Sequence, residues 1–269
     1  MELPRIEFDL RDHKLSIAVT WTVLFLSSGA LPVILYFSLR YGTDLELDTV
    51  LGIPTAILGV VSLVSLLVRS WGLLKKNSAC RPLNGSRWAL DYFHWNFLIA
   101  FTVITALVTA GTVIPSIRLV AIGLPILLIS VGTQLLFAAA LVYTRIATPF
   151  TISSVGKGQP VRSGVYAVTE DIVAVDGGQG QAFRQQLEAR YFASRTIRGL
   201  FHRLDLVWGV SAVVVGALST GLLFGLESQD AAYVVGWIVP WAYAAAMVGV
   251  TRYMVKSALD SEDKDPALQ

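Results

Sequence analysis

Trp95–Ile117 and Leu119–Thr144 read WNFLIAFTVITALVTAGTVIPSI and LVAIGLPILLISVGTQLLFAAALVYT, two apolar stretches separated only by Arg118. Neither stretch contains a charged residue, and each can cross the roughly 30 Å hydrocarbon core of a bilayer, which takes about 20 helical residues. Four more stretches share these properties: Leu15–Leu39, Thr49–Val68, Leu206–Leu226 and Ala231–Thr251. Barrel strands would instead be short segments of alternating polarity. The sequence therefore predicts an all-α polytopic membrane bundle of six transmembrane helices.

The composition excludes several other classes of protein. Hydrophobic residues make up 54% of the chain and charged residues only 15%, with a mean hydropathy of +0.62, whereas soluble domains carry about 25% charge. Such a chain is too apolar for intrinsic disorder. Cys80 is the single cysteine, which excludes an intrachain disulfide scaffold and a cysteine-rich metal module. The net charge of +2 predicts no nucleic-acid partner.

The basic residues lie almost entirely at one end of the predicted bundle. Of the 21 Lys and Arg residues, only Arg40 and Arg118 fall in connections at the opposite end. Connections rich in Lys and Arg stay on the cytoplasmic side of a membrane. We therefore expect the N- and C-termini, and the long segment 145–205, to be cytoplasmic.

Segment 145–205 is predicted to be an amphipathic loop. Apolar residues from Val161 to Val175 recur at helical spacing, although their β-branched character also fits a strand. A second apolar stripe runs from Phe183 to Leu204, and arginines fill the remaining face: Arg184, Arg190, Arg195, Arg198 and Arg203. This pattern is typical of a basic helix on a membrane surface, bound to anionic lipid, or of a helix that docks a partner.

Each of the three histidines lies just before a predicted span and has an aspartate at helical spacing. The pairs are Asp9 with His13, Asp91 with His94, and His202 with Asp205. Such a pair could transfer protons in catalysis. An aspartate there could instead satisfy the free N–H groups and the dipole of the helix start. We predict Asp91 and His94 as candidate catalytic residues, with helix capping as the alternative.

A small acidic group follows in the cytoplasmic segment. Glu170, Asp171 and Asp176 could supply a proton to a substrate, and we predict them as further catalytic candidates. The alternative is a solvated helix face. Their spacing matches no strong aspartate-rich motif for a magnesium–diphosphate site. No Walker loop, nucleophile elbow, zinc-protease helix or dinucleotide fingerprint is present, so we predict neither a metal nor a cofactor.

Aromatic and amide side chains deep in the spans are candidates for substrate binding. Tyr233, Trp237 and Trp241 are spaced by four and share one face of the sixth helix. An aromatic face can hold a flat lipophilic ligand or stabilise a carbocation, although it can also simply pack. Gln134 is the strongest polar side chain at depth, where it could instead join two helices. We predict Trp95, Gln134, Trp237 and Trp241 as substrate-binding residues.

Small residues and prolines predict how the spans pack. Gly221 and Gly225 lie four residues apart, as do Ala212 and Gly216. Such spacing lets helix backbones approach closely in lipid. Pro32, Pro125 and Pro240 lie inside spans, where we expect kinks or local cavities.

Two stretches resemble a known family. They are Arg81–Phe97, RPLNGSRWALDYFHWNF, and Arg162–Tyr191, RSGVYAVTEDIVAVDGGQGQAFRQQLEARY. Both are similar to segments of a family of filamentous-fungal multi-pass integral membrane proteins, and the similarity continues into the fifth and sixth spans. This resemblance implies an endomembrane location, such as the endoplasmic reticulum, and carries no catalytic residue over to this chain. In size and architecture alone, the chain is also similar to fungal membrane terpene cyclases.

Two classes of function remain open from the sequence. The first is a membrane-embedded, terpene-cyclase-like enzyme of fungal secondary metabolism, in which an acid protonates an isoprenoid or another lipophilic substrate. The second is a non-catalytic scaffold or accessory protein whose basic loop binds membrane lipid or a partner. A small-molecule transporter subunit is a third possibility, because six spans would suffice as part of an oligomer.

Overall fold

Helices make up nearly all of the regular structure. A computed structural model of the chain describes residue 4, residues 6–7, 14–83, 85–262 and 264. Its elements are α1 (Lys14–Phe25), a π-helical turn (Leu26–Ala30), α2 (Leu31–Gly42), α3 (Leu47–Leu74), α4 (Tyr92–Val113), α5 (Ile117–Ala121), α6 (Gly123–Thr144), α7 (Gly164–Val175), α8 (Gly180–Ala193), α9 (Arg195–Gly225) and α10 (Gln229–Glu262). Two isolated β-bridges are the only β-structure in these ranges. The all-α prediction is confirmed.

Six helical segments are long and apolar enough to cross a membrane. They are Ile17–Gly42, Leu47–Leu74, Tyr92–Val113, Ile117–Thr144, Arg195–Gly225 and Gln229–Glu262. Each contains most of one predicted span, so the six predicted spans are confirmed as helices. The last two have 31 and 34 residues, about 46–51 Å at 1.5 Å per residue, which is longer than the bilayer core. Both extend past the core at the end of the bundle that carries α7 and α8, which we call the α7–α8 end.

The first span is interrupted where α1 meets α2. The π-helical turn Leu26–Ala30 lies between them, and Pro32 occupies the first turn of α2, where its missing N–H costs no hydrogen bond. The hydroxyl groups of Ser27 and Ser28 both donate to the Leu24 carbonyl, at 3.2 and 2.6 Å. The irregular turn falls where Pro32 led us to expect a kink.

Glycines allow α6 and α9 to pack at close range. A Cβ atom added to Gly132 would lie 2.8 Å from the Gly209 carbonyl oxygen, and one added to Gly216 would lie 2.8 Å from the Pro125 carbonyl oxygen. The prediction for the Gly216 stripe is therefore confirmed. A Cβ at Gly221 or Gly225 would meet no described atom within 4 Å. The same prediction is wrong for these two, because this face of α9 points out of the bundle.

A first hydrophobic core lies at the end of the bundle that holds α5. Tyr36 of α2, Leu51 of α3 and Val120 of α5 are buried there with Tyr233 and Trp237 of α10. The rings of Tyr36 and Tyr233 stack with their centroids 4.1 Å apart. This core closes the bundle on the side opposite to α7 and α8.

A second hydrophobic core is formed by segment 145–205 with the extended ends of α9 and α10. Tyr166, Leu187, Tyr191 and Phe201 are buried there beside Ala258. The helical interpretation of α7 is right, and the strand alternative is wrong. The apolar stripe of α8 is covered by protein, which corrects the expectation that this helix rests its apolar face on the bilayer.

Candidate functional site

Two arginines and four carboxylates from five parts of the chain meet at the α7–α8 end. We call them the charged cluster: Arg69 of α3, Asp91 before α4, Glu170 and Asp171 of α7, Asp176 after α7, and Arg184 of α8. Five of the six residues are buried. Asp176 is the exception, with 47% of its side chain exposed. Four of the five predicted catalytic residues therefore lie in this cluster, three of them buried, together with two arginines that were not predicted as catalytic residues.

Arg184 is the centre of the cluster. Its Nη1 lies 2.7 Å from Asp171 Oδ1 and 3.0 Å from Glu170 Oε1. Its Nη2 donates to the Cys80 carbonyl at 3.1 Å and lies 3.6 Å from Asp91 Oδ2. Arg184 is completely buried. The expectation that it binds lipid head groups is wrong, because its guanidinium already pairs with carboxylates inside the protein.

Arg69 joins the cluster to the end of α3. Its Nη2 lies 2.7 Å from Asp91 Oδ2 and donates to the Asp171 carbonyl at 3.3 Å, while its Nη1 pairs with Asp176. The guanidinium also lies over the Phe93 ring, 4.7 Å from the centroid. Arg69 therefore links α3 to both α4 and α7.

The cluster contains more acid than base, since four carboxyl groups share two guanidinium groups. Burial raises the pKa of Asp91 and of Glu170 above their usual range, against the opposing effect of the arginines. Burial, together with the neighbouring charge of Asp91, raises the pKa of Asp171 to about 6. Glu170 Oε2 is buried and has no hydrogen-bond partner in the described part of the chain. These carboxyl groups therefore hold protons more readily than exposed ones do.

Asp91 caps α4. Its Oδ1 accepts a hydrogen bond from the backbone N–H of His94 at 2.8 Å. The His94 ring approaches Ser70 instead, with Nε2 3.4 Å from its hydroxyl oxygen. Asp205 acts in the same way on α7, because its carboxylate accepts from the N–H of Gly164 and of Val165 at 3.0 and 2.8 Å. The capping alternative thus describes Asp91, whereas Asp205 lies within α9 and caps α7 rather than its own helix. The Asp9–His13 pair lies outside the described residues.

Asp171 accepts hydrogen bonds from several groups. Besides Arg184, its Oδ2 accepts from the Ser153 hydroxyl at 2.6 Å and from the Phe93 backbone N–H at 3.1 Å. Glu170 and Asp171 are both fully buried. The alternative of a solvated helix face is therefore wrong for these two residues. Ser153 belongs to the connection before α7, and no sequence pattern identified it.

An open cavity lies between α3, α4 and α6. Its volume is about 440 Å³, and the π-helical turn and Trp241 of α10 form part of its wall. This volume falls within the range of roughly 300–1,000 Å³ found for small-molecule pockets. The lining is largely apolar with hydroxyl and amide groups, and none of the described residues that form it carries a charged side chain. Ile99, in the lining, is 57% exposed, so the cavity opens through the side of the bundle.

The four predicted substrate-binding residues divide between three surroundings. Gln134 and Trp241 line the cavity. Trp95 is on the outer surface of α4 and is 52% exposed. Trp237 is packed in the first core, with its ring centroid 6.1 Å from that of Tyr233. Although Trp237 and Trp241 share a helix face, they lie one turn apart and meet different neighbours.

Hydrogen bonds fix the two predicted residues that line the cavity. Gln134 Oε1 accepts from the Tyr92 hydroxyl at 3.3 Å, and its Nε2 donates to the Ser130 hydroxyl at 3.3 Å. Trp241 Nε1 donates to the Ser28 carbonyl in the π-helical turn at 3.2 Å. Both side chains therefore have defined positions in the cavity wall.

Phe93 separates the charged cluster from the cavity. Phe93 lines the cavity. The Arg69 guanidinium lies over its ring, and its backbone N–H donates a hydrogen bond to Asp171. The cluster and the cavity are thus neighbours, joined by one aromatic residue that the sequence analysis did not select.

Comparisons with known proteins give a family and no activity. Among the residues that the structure describes, no group of three or more His, Cys, Asp or Glu is placed to hold a metal ion. No curated protein and no solved structure matches the chain significantly. A family model matches residues 1–265, nearly the whole chain. The chain therefore belongs to the family described as Domain of unknown function (DUF8766).

Proposed function

We propose that this protein is a multi-pass membrane protein that binds a lipophilic small molecule inside the bilayer. The cavity between α3, α4 and α6 carries this proposal. It has the volume of a small-molecule pocket, an uncharged and largely apolar lining, and a side opening within the apolar helices. A molecule dissolved in the hydrocarbon core could enter through that opening without crossing water.

Gly59 provides a direct test of this proposal. It lies in the cavity wall, and a Cβ added there meets no described atom within 4 Å, so a large side chain would begin in open space. Gly221 is a matched control, since its Cβ also meets nothing within 4 Å but α9 faces outward there. Both changes to Trp alter helix propensity equally.

The assay is identification of lipophilic molecules that remain with the purified protein, by mass spectrometry of an organic extract. We expect a molecule enriched over the detergent and lipid background with the wild type and with Gly221→Trp, and its loss with Gly59→Trp. An enriched molecule that persists in Gly59→Trp would contradict binding in this cavity. If the wild-type extract contains only background lipid, the proposal is wrong.

A second candidate function is an acid-initiated, terpene-cyclase-like reaction in the same cavity. One observation favours it: protonatable carboxyl groups lie next to the cavity, separated from it by Phe93. In this reaction Phe93 moves aside, and a carboxyl group of the charged cluster then contacts the isoprenoid and adds its proton to a carbon–carbon double bond. Aromatic rings such as that of Trp241 stabilise the carbocation, which then closes a ring and returns a proton to the carboxylate. With this chemistry we propose an endomembrane location, such as the endoplasmic reticulum, and a role in fungal secondary metabolism.

Charge-neutral variants test the enzymatic candidate. Asp91→Asn, Glu170→Gln and Asp171→Asn keep the shape of each side chain and remove its acid, and metabolite profiling of the host reports the product. Loss of one product in any of these variants, with normal protein levels, supports catalysis. Unchanged products in all three would refute it. The scaffold alternative has less support, because Arg184 and Arg190 bind Glu170, Asp171 and Glu262 within the protein rather than lipid.

A further inference from the structure

We propose that the cavity selects an uncharged, single-chain amphiphile whose hydroxyl or carbonyl head group binds at Asn96 and Gln134. This inference rests on the proposed function and names its ligand class. Both amides line the cavity at its α7–α8 end, where α4 begins. The head group would lie beside them, and the hydrocarbon chain would extend along α4 toward Ile104 and Val108.

Tyr92 links the two amides into one polar patch. Asn96 Nδ2 donates to the Tyr92 carbonyl at 2.9 Å, and the Tyr92 hydroxyl donates to Gln134 Oε1 at 3.3 Å. Gln134 Nε2 then donates to Ser130 at 3.3 Å. Each amide nitrogen carries two hydrogens, and each of these bonds uses only one of them. A ligand oxygen can therefore accept from either amide without breaking the patch.

The rest of the lining is mostly apolar, although hydroxyl groups are spaced along it, among them those of Thr55, Thr105 and Thr109. Leu58 of α3, Ile104 and Val108 of α4, and Leu124 of α6 lie in the wall farther from the α7–α8 end. Val108 also belongs to the first core, so the cavity is closed in that direction by packed protein. The two amides at one end, and the mainly apolar wall beyond them, match the outline of an amphiphile.

The charges around the cavity argue against an ionised head group. In the part of the chain that the structure describes, no side chain that lines the cavity is charged. The nearest guanidinium we identify, that of Arg69, is covered by the Phe93 ring and paired with Asp91 and Asp176. A carboxylate or phosphate in the cavity would lose its hydration without gaining a counter-ion, which is costly in a medium of low polarity. A pure hydrocarbon would leave the amide hydrogens unpaired, which is also unfavourable.

Photo-crosslinking in phosphatidylcholine nanodiscs tests this selectivity. The probe is hexadecanol with a diazirine group, and the competitors are hexadecanol, hexadecanoic acid at pH 8 and hexadecane. We expect hexadecanol to displace the probe on the order of tenfold better than either competitor, because hexadecane makes no hydrogen bond to the amides and hexadecanoate loses the hydration of its charge. Gln134→Leu and Asn96→Leu should reduce the preference for hexadecanol over hexadecane, whereas Gln185→Leu, exposed on α8, should not.

The position of the crosslink gives a second readout that needs no variant. A diazirine beside the hydroxyl should label peptides near Asn96 or Gln134, and a diazirine at the chain end should label peptides near Ile104 or Val108. Equal competition by hexadecane, or a reversed order of labels, would overturn the head-group inference and leave the proposed function standing. Stronger competition by hexadecanoic acid would also overturn it. Labelling that Gly59→Trp does not reduce would instead contradict the proposed function.

Discussion

Arg184→Met should destabilise the docking of α7 and α8 more than a typical single substitution does. Arg184 is fully buried, and it binds Asp171 at 2.7 Å and Glu170 at 3.0 Å. Methionine keeps much of the apolar volume but removes the positive charge. The variant would leave three buried carboxyl groups with Arg69 as their remaining partner in the cluster.

The expected loss of docking free energy in Arg184→Met can be estimated in two ways. Removing one partner of a buried ion pair costs about 3–5 kcal/mol. Two hydrogen bonds to charged groups, at about 1.5–3 kcal/mol each, give about 3–6 kcal/mol. No discount for solvent screening applies, because the side chain is completely buried. We therefore expect the free energy of docking to fall by about 3–5 kcal/mol at neutral pH.

Cys80 offers a local assay for this loss. It is the single cysteine of the chain, it is partly buried, and its carbonyl accepts from Arg184 Nη2. Labelling of its thiol through opening of α8 should accelerate by about 100-fold for a loss of about 3 kcal/mol. Labelling through the closed state sets a lower limit on the measured rate, so the wild type must be measured under the same conditions.

Two further variants give the controls. Arg195→Met changes an exposed arginine and should leave the labelling rate close to that of the wild type. Adding Glu170→Gln and Asp171→Asn to Arg184→Met removes two unpaired charges and should restore much of the protection. A labelling rate for Arg184→Met within threefold of the wild type would refute the reasoning that Arg184 holds the cluster together.

Three further outcomes are expected. Because the pKa of Asp171 is raised to about 6 in the folded protein, the folded state binds more protons than the unfolded state at mildly acidic pH. The free energy of unfolding should therefore fall as the pH rises from about 4 through 6. This dependence on pH should be weaker in Asp171→Asn. If thermal melts show the same dependence on pH in the variant and the wild type, the raised pKa of Asp171 is contradicted. Gly216→Leu should destabilise the protein by a few kcal/mol, since its Cβ would lie 2.8 Å from the Pro125 carbonyl; a thermal midpoint equal to that of Gly221→Leu would argue against close packing of α6 and α9. If the basic end is cytoplasmic, a membrane-impermeant maleimide should label Cys80 in sealed endomembrane vesicles whose cytoplasmic face points outward, and labelling only after the vesicles are permeabilised would reverse the predicted orientation.

The residues of the charged cluster could be predicted from the sequence only in part, because the sequence does not show which side chains they bind. The sequence predicts Asp91 from its spacing to His94, and Glu170 and Asp171 as members of an acidic group, and all three are buried. Arg184 was assigned to a lipid-facing surface, because helical spacing shows which residues share a face but not what that face meets. Its partners Glu170 and Asp171 lie on another helix, and neither is at a helical spacing from it.

The residues that line the cavity could likewise be predicted from the sequence only in part. Gln134 was identifiable as an amide among apolar residues, and Trp241 as an aromatic residue far from either end of its span. Asn96 and Phe93 carried no such signal, because they lie near the start of a helix, where polar and aromatic residues are common. Their role follows from the gap between α3, α4 and α6, which depends on how three helices diverge.

The sequence by itself determined that the chain forms six apolar helices, because the length and uninterrupted hydrophobicity of a span are local properties that lipid requires of each segment separately. Only the tertiary structure decided which charges are buried, which aromatic rings face the cavity and which face lipid. Those outcomes depend on side chains from α3, α4, α7 and α8 meeting in space, and such meetings are set by packing between elements far apart in the chain.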